Sequence, residues 1–313
     1  MTLAIQLVLY NGSPYFLALL ESLCKQSDQD WTLYVRDQSS DATERRTVLR
    51  CLEFSGMRAV VDASHENIGF SGGHQCLFEQ HDADLVFLLN QDSLLGSKYI
   101  YEVRNVFDDE NIAAAAGVIF QASFAEGKWH KRDTIDSMGL VCRRTHKVED
   151  QRHVEHKFDS TPFEVFGVSG CLPVYRRKAI EEVSFNRSLF DAQYFMYKED
   201  VDVAYRLQYA HWKAVTVPRA IAWHRRTFAV HKRAKQTRDA RFQSYRNHLW
   251  NLVSHSSLPS IERDFFMIIP YEFSKAVFML ATAPRLWWRA ARETYQMLPL
   301  LKAKRAFYEH RAS

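Results

Sequence analysis

The sequence predicts an α/β fold, a mixed but mainly parallel sheet flanked by helices, followed by a helical C-terminal extension that associates with a membrane. Three observations carry that expectation. Apolar runs such as Leu85, Val86, Phe87, Leu88 and Leu89 are short and do not alternate, which marks strands buried on both faces. They are interleaved with helix-length segments at the spacing of βαβ units, the signature of a parallel sheet. Beyond Asn247 the pattern changes, and the chain becomes helical and apolar.

The first strand is expected over residues 3–10. Asn11, Gly12, Ser13 and Pro14 turn it into a helix over 15–26, with Ser13 as cap and Pro14 in the first turn, where proline is tolerated. A second strand at 31–36 ends in the polar run 37–41, and Asp41 caps a charged helix reaching residue 52. A third strand at 58–61 leads to Asn67, Ile68, Gly69, Phe70, Ser71, Gly72 and Gly73, a loop opening a helix over 74–80; the fourth strand is 85–89. Right-handed crossovers put the polar strand ends on one edge. Tyr10, Asn11, Asp37, Asn67 and Asp92 are therefore expected along one rim. A helix near 99–107 and a strand at 113–120 come next, and 121–160 reads as a hairpin-and-loop excursion over the active face. Strands at 163–166 and 172–175 flank Gly167 and Gly170, and a short helix covers 177–183. The acidic, aromatic segment from Phe190 opens a helix reaching Tyr209, and 214–217 with 220–224 form a strand and a closing turn.

A length of 313 residues suits one large α/β domain, or a domain with an appendage. With 47% hydrophobic and 25% charged residues the composition is that of a globular protein. A net charge of +4 is too small to indicate nucleic acid by itself. The five cysteines, Cys24, Cys51, Cys76, Cys142 and Cys171, are odd in number and lack CxxC pairing. They fit reduced thiols in a cytosolic compartment rather than disulfides or a zinc site. The first ten residues lack the basic start of a signal peptide. No uninterrupted apolar run reaches the roughly 18 residues of a membrane-spanning helix.

In open parallel sheets, ligands gather beyond the carboxyl ends of the strands. Asp92 stands at such an end and reads two ways: a carboxylate holding a cation on a diphosphate, or a cap for its turn. Asp37 can accept from a pyrimidine ring N–H or serve its own turn. Asn67 and the Gly72, Gly73 pair permit close backbone approach to a ligand. Glu199 and Asp200 are dipole partners at a helix start or reactive carboxylates. Phe190, Tyr194, Phe195 and Tyr197 would desolvate them and raise the basicity that removing a hydroxyl proton requires. His224, after a strand, completes a metal site with Asp92 or is a structural histidine.

Tyr10 and Asn11, the turn 37–41, the run 67–73 and Leu88 to Asp92 occur in the order found in family 2 glycosyltransferases, which the chain resembles over about residues 3–249. Gly170, Cys171, Tyr175, Arg176, Arg177, Phe190, Asp191, Glu199 to Asp202, Arg206 and His224 continue the match. With Arg246 and Asn247 after the core, the chain is most similar to the rhamnosyltransferase branch. The resemblance implies a GT-A fold, a Rossmann-like domain over 1–225, with 1–120 binding a nucleotide-sugar, 121–225 binding the acceptor, and 226–313 forming the basic, amphipathic C-terminal region. It implies inversion at the anomeric carbon with Asp200 as general base, Asp92 as the metal-binding acid and His224 assisting the metal and diphosphate, the hard oxygen ligand suiting Mg2+ or Mn2+. Leu9, Tyr10, Asn11, Asp37, Asn67, Gly72, Asn90 and Gln91 would surround the donor, and Gly170, Cys171 and Glu199 the acceptor. Three positions depart from the pattern: Gln91 replaces a frequent proline or acid, Gln38 a usual asparagine, and His211 a common glycine.

The donor implied is dTDP-L-rhamnose, with UDP-sugars as the alternative, and the acceptor a glycan or lipid-linked saccharide in bacterial surface polysaccharide synthesis. A nucleotidyltransferase would want a glycine-rich, basic loop after the first strand, of which residues 11–14 are a poor version. A non-catalytic nucleotide-sugar binder could dispense with Asp200 and His224. Residues 225–241 carry eight basic groups against the single acid Asp239, suited to lipid headgroups, an acidic glycan or a diphosphate. Apolar helices broken at Pro270, Glu272, Lys275 and Pro284, with Trp287 and Trp288 among arginines, describe segments lying on an anionic bilayer or a helical subdomain packed on the core. The expected location is cytoplasmic and peripheral, on the inner face of the cell membrane. A homodimer is a further expected partnership; nucleic acid is not.

Overall fold

The computed structural model describes residues 1–62, 64, 66–153, 160–225, 238–256 and 258–312. Most of the basic stretch expected at 225–241 lies outside the described residues. Strands β1 (Leu3–Leu9), β2 (Thr32–Asp37), β3 (Ala59–Asp62) and β4 (Leu85–Asn90) pair in parallel in the order β4-β1-β2-β3. Helices α1 (Ser13–Cys24), α2 (Ala42–Ser55) and α3 (Gly69–Phe78) connect them. Next come β5 (Ser93–Leu95), α4 (Tyr99–Asn105), and the hairpin of β6 (Ile112–Ala125) with β7 (Lys128–Ser137). A second hairpin joins β8 (Leu140–Cys142) and β9 (Val148–Asp150), and then come β10 (Phe163–Val165) and β11 (Val174–Arg176). Helices α5 (Arg177–Val183) and α6 (Glu199–Tyr209) precede β12 (Lys213–His224). β11 lies antiparallel between β4 and β6, and β12 runs parallel beside β6. The two reversals cancel, so β12 ends on the same edge as β1, β2 and β4.

β4 explains the layering. All five of its apolar residues are fully buried. Leu85, Phe87 and Leu89 enter the cluster containing Phe16, Leu19, Val48 and Tyr99, while Val86 and Leu88 enter the one containing Phe78, Ile180, Val203 and Leu207. Helices therefore cover both faces, and period-two alternation has no polar side to reveal.

Several boundaries differ from the sequence expectation. Helix α1 begins one residue after Gly12, and Ser13 is not its cap; the Glu44 carboxylate accepts from the Ser13 N–H at 3.1 Å. Asp41 does cap α2, accepting from the N–H groups of Thr43 and Glu44. Helix α3 starts at Gly69 rather than after the glycines, which form its first turns. Helix α6 starts at Glu199, so the aromatic segment before it is a separate loop. The two pieces expected near the end of the domain are one strand, β12, with an irregularity between Val217 and Ile221.

The C-terminal region is α7 (Arg238–His255), α8 (Leu258–Thr282) and α9 (Pro284–Ala312). α8 continues through Pro270, where a break was expected. Although charged side chains interrupt it, its Glu262–Thr282 part is long and apolar enough, by length and composition only, to cross a membrane. One side is tied to the protein: Ile268 and Met279 are buried, Glu272 pairs with His248 at 2.7 Å, and Asp264 pairs with Arg144 at 2.9 Å. The other side shows Phe266, Ile269, Phe273 and Val277, with Phe266 87% and Phe273 70% exposed.

The Phe87 ring lies 5.7 Å from that of Tyr99, whose hydroxyl donates to the Leu172 carbonyl. Phe87→Ala should cost about 3–5 kcal/mol, read as a lower urea midpoint with an unchanged slope.

Candidate active site

The rim is stitched by carboxamides. β1 delivers buried Leu9, then Tyr10 and Asn11, the latter at φ 50°. Gln91 accepts from the Tyr10 N–H at 2.9 Å and donates to its carbonyl at 3.0 Å. A β-carbon at Gly12 would lie 2.2 Å from the Gln91 Oε1, so glycine makes this clamp possible. The Asn11 N–H donates to Ser39 Oγ at 2.8 Å, and buried Asp37 accepts from the Ser39 N–H at 2.9 Å. Gln38 accepts from the Ile68 N–H at 2.8 Å and donates to the Gly69 carbonyl at 3.0 Å. Asn67 accepts from the Gly69 N–H, where φ is 79°. The space at Gly72 is filled by Ile68, and that at Gly73 by Val8, so these glycines seat α3 against its surroundings. Leu9, Tyr10, Asn11, Asp37, Asn67, Asn90, Gln91 and Asp92 thus lie at strand ends on one edge or in the loops stitched to them, as the topology rule requires.

β12 brings His224 to that edge, in register with Ser93. Its Nε2 is 3.4 Å from Asp92 Oδ1 and its Nδ1 is 3.1 Å from Asp136 Oδ2. Asp136, on β7 and 1% exposed, is a partner that nothing in its local sequence spacing marks. Burial alone would lower the His224 pKa, but the neighbouring Cys171 thiol, Asp92 and Asp136 outweigh it and push the imidazole well above its ordinary value. Asp92 and His224 suit a divalent cation, provided the cation takes the place of the proton that the carboxylates hold on the Nε2 side of the ring. A carboxylate fixing the far ring nitrogen orients such a ligand, and Mg2+-like ions take few protein ligands when phosphate oxygens supply the rest. No group of three or more potential metal-binding side chains occurs among the described residues.

The second acidic element starts α6. Asp200 accepts from the Gly170 N–H at 3.0 Å and from the Val201 N–H at 2.8 Å. Burial raises its pKa, against the opposing Lys198 charge and the two N–H donors. Glu199 is 7% exposed, and its Oε2 has no hydrogen-bond partner among the described residues. Burial and the adjacent Asp200 charge push Glu199 up to about 8. Gly170 touches Asp200 and the next residue, Cys171, lies against His224, so one dipeptide joins the acid pair to the candidate cation pair.

The loop before α6 is strained: Phe195, Tyr197 and Lys198 have φ of 61°, 70° and 71°. Each costs on the order of 1–3 kcal/mol and needs external support. Asn247 of α7 supplies it, donating to the carbonyls of Tyr194, Met196 and Tyr197 at 2.9, 3.0 and 2.7 Å. Asn251 donates to the Lys198 carbonyl at 2.9 Å. Beneath the acids, Asp202 pairs with Arg206 at 3.0 Å and His255 at 2.8 Å. His211 sits at φ 57°, the left-handed conformation that accounts for glycine being common there.

Because folded Glu199 holds its proton where the unfolded chain has released it, stability should fall as pH rises from 4.5 towards about 8. Glu199→Gln should flatten that decline in urea unfolding compared at about pH 5 and about pH 8.

Residues 5–184 match the family model "Glycosyl transferase family 2". A comparison with curated proteins returns no match. Among solved structures, the fold is similar to GalNAc-T7 with UDP, GalNAc and Mn2+ (12% identity, TM-score 0.64, covering 81% of this chain and 48% of that one). It is similar to S. aureus TarS (12% identity, TM-score 0.58, covering 100% and 54%). It also resembles the mannosyltransferase PcManGT from Pyrobaculum calidifontis with GDP-Man and Mn2+ (13% identity, TM-score 0.56, covering 99% and 85%). The chain spans about half the length of the first two. At such identities the likeness speaks for the fold, which is GT-A. The family model covers more than half of the sequence, and the chain belongs to glycosyl transferase family 2.

Proposed function

We propose that the chain is an inverting glycosyltransferase that moves a sugar from a nucleoside diphosphate to a hydroxyl of a glycan or lipid-linked saccharide. The observation that supports this best is Asp200, a carboxylate of raised basicity linked through Gly170 and Cys171 to the Asp92–His224 pair. In a single displacement, Asp200 accepts the acceptor hydroxyl's proton while that oxygen bonds to the anomeric carbon. The anomeric carbon–oxygen bond to the diphosphate breaks on the opposite side, and the electron pair leaves with the diphosphate. Mg2+ or Mn2+ on Asp92 and His224 would supply charge neutralisation for that leaving group. Asp37 and the clamped Tyr10–Asn11 turn face the donor base, with Asn67, Gly72, Asn90 and Gln91 shaping its surroundings. Residues 1–120 form the donor half, 121–225 the acceptor half, with Gly170, Cys171 and Glu199 towards the acceptor.

The donor we favour is dTDP-L-rhamnose, on the motif resemblance including Arg246 and Asn247. UDP-sugars are the second reading, favoured by structural neighbours solved with UDP and with UDP-GlcNAc. The acceptor would belong to bacterial surface polysaccharide synthesis at the inner face of the cell membrane. Residues 226–313 would rest there through the exposed aromatic side of α8 and Trp288, 66% exposed, flanked by Arg285, Arg289 and Arg292. The Glu272–His248 pair midway along α8 favours lying on the surface over crossing it, since crossing would carry that pair into hydrocarbon.

Asp200→Asn should lower kcat by about 10²–10⁴-fold while leaving the melting temperature nearly unchanged; a fully active variant would refute the base assignment. Nucleotide identity is read by thermal shift with dTDP, UDP and GDP, each with and without Mn2+. A metal-dependent shift with dTDP, lost in Asp92→Asn, supports the thymidine donor, a shift with UDP alone replaces it, and no shift removes the nucleotide rim. Phe266→Ser with Phe273→Ser should cut sedimentation with anionic vesicles several-fold. Unchanged sedimentation would overturn the membrane face, and loss of a dimer on sizing would reassign it to a second copy of the chain.

A further inference from the structure

The acid pair owes its position to a helix outside the family 2 match, which ends at residue 184. Between the 3-10 turn Ala192–Tyr194 and Glu199, the chain forms no strand or helix, and among its carbonyls those of Tyr194 and Lys198 accept from the N–H groups of Met196 and Asp202. Consecutive loop carbonyls also converge on α7. Arg246 donates to those of Gln193 and Tyr194, Asn247 to those of Tyr194, Met196 and Tyr197, and Asn251 to that of Lys198. The remaining loop carbonyl, that of Phe195, accepts from the Ser71 N–H of α3 at 3.1 Å. One strained loop therefore carries the acceptor-side carboxylates at its end and touches the donor-side glycine helix at its middle. α7 is itself anchored: Arg246 pairs with Glu293 of α9 at 2.9 Å, and Lys304 of α9 pairs with Asp191 at the loop's start.

We propose that Asn247 is a positioning residue for the transfer reaction, fixing the 193–198 loop so that Asp200 stands at the correct place relative to the donor rim. The C-terminal helices are then part of the catalytic unit and not only a means of attachment. Asn247 is fully buried, and its carbonyl oxygen accepts from Arg246 Nε at 3.0 Å, which fixes the orientation of its two N–H donors. Three carbonyls share those donors, an arrangement that no aliphatic or shorter side chain reproduces. The proposal rests on the reading of Asp200 as the base, and its test separates the two.

Asn247→Ala, Asp200→Asn and the double variant are compared for kcat, KM and the nucleotide-induced thermal shift. Asn247→Ala should lower kcat about 10–100-fold while donor KM and the thermal shift stay within about twofold. In the Asp200→Asn background it should cause no further loss, because its effect passes through that carboxylate. Additive losses, or wild-type kcat in folded Asn247→Ala, would overturn the positioning role. A fully active Asp200→Asn would instead defeat the base assignment, whatever Asn247 does. Should Asn247→Ala fail to fold, Asn251→Ala, which removes the side-chain bond to the Lys198 carbonyl (leaving that from the Asp202 N–H) and the acceptor of the Tyr194 hydroxyl, is put through the same cycle and judged by the same outcomes.

Discussion

Keeping two adjacent carboxylates largely out of water is the constraint on which this structure turns. Glu199 and Asp200 repel each other and lose hydration together, and both are pushed towards the protonated form. The fold offsets this with N–H donors from Gly170 and Val201, the nearby Lys198 charge, and a loop conformation that only external hydrogen bonds sustain. Below the pair, Asp202 is managed in the opposite way, with Arg206 and His255 holding its pKa far below the ordinary range. Within four residues the helix thus holds Glu199 pushed towards its protonated form, Asp200 of raised basicity, and Asp202 locked as an ion.

The ligand edge is framed mostly by neutral side chains. Gln38, Gln91, Asn67, Asn247 and Asn251 bond to backbone and so hold loops without adding charge. A carboxylate or guanidinium in their place would compete with an anionic ligand and its counter-ion for the local field. Charge is concentrated where chemistry would use it, on Asp92, His224 and the acid pair.

Much of this was legible in the sequence. The unalternating run 85–89 ending in polar residues located the central strand and its rim, because burial on both faces is written directly in composition. The C-terminal ends of β1, β2 and β4 followed from crossover handedness. Asp136 and His255 were not legible, since each meets its partner from a distant element: His224 on β12, which like β7 pairs with β6, and Asp202 on a packed helix. The start of α6 was misplaced because the aromatic segment mimics helical spacing, whereas three left-handed residues interrupt it. Gln91 and Gln38 stood out as departures from the family pattern, but their carboxamides clamp the backbone of the rim. Pro270 misled in the opposite sense: a proline costs a helix one hydrogen bond, and α8 carries on beyond it.

The reversed direction of β11 has a consequence for which charges meet the ligand. A parallel strand between β4 and β6 would display its carboxyl end at the rim and bring the guanidinium groups of Arg176 and Arg177 there. Run antiparallel, it displays its beginning, and the small residues Gly170 and Cys171 precede it. The arginines are sent to the far edge, where they bond to carbonyls of Phe107, Ile112, Phe78 and His81. The polarity of one three-residue strand thereby keeps two permanent cations away from the rim, where, on the proposed reaction, they would retain the leaving diphosphate as a tightly held product.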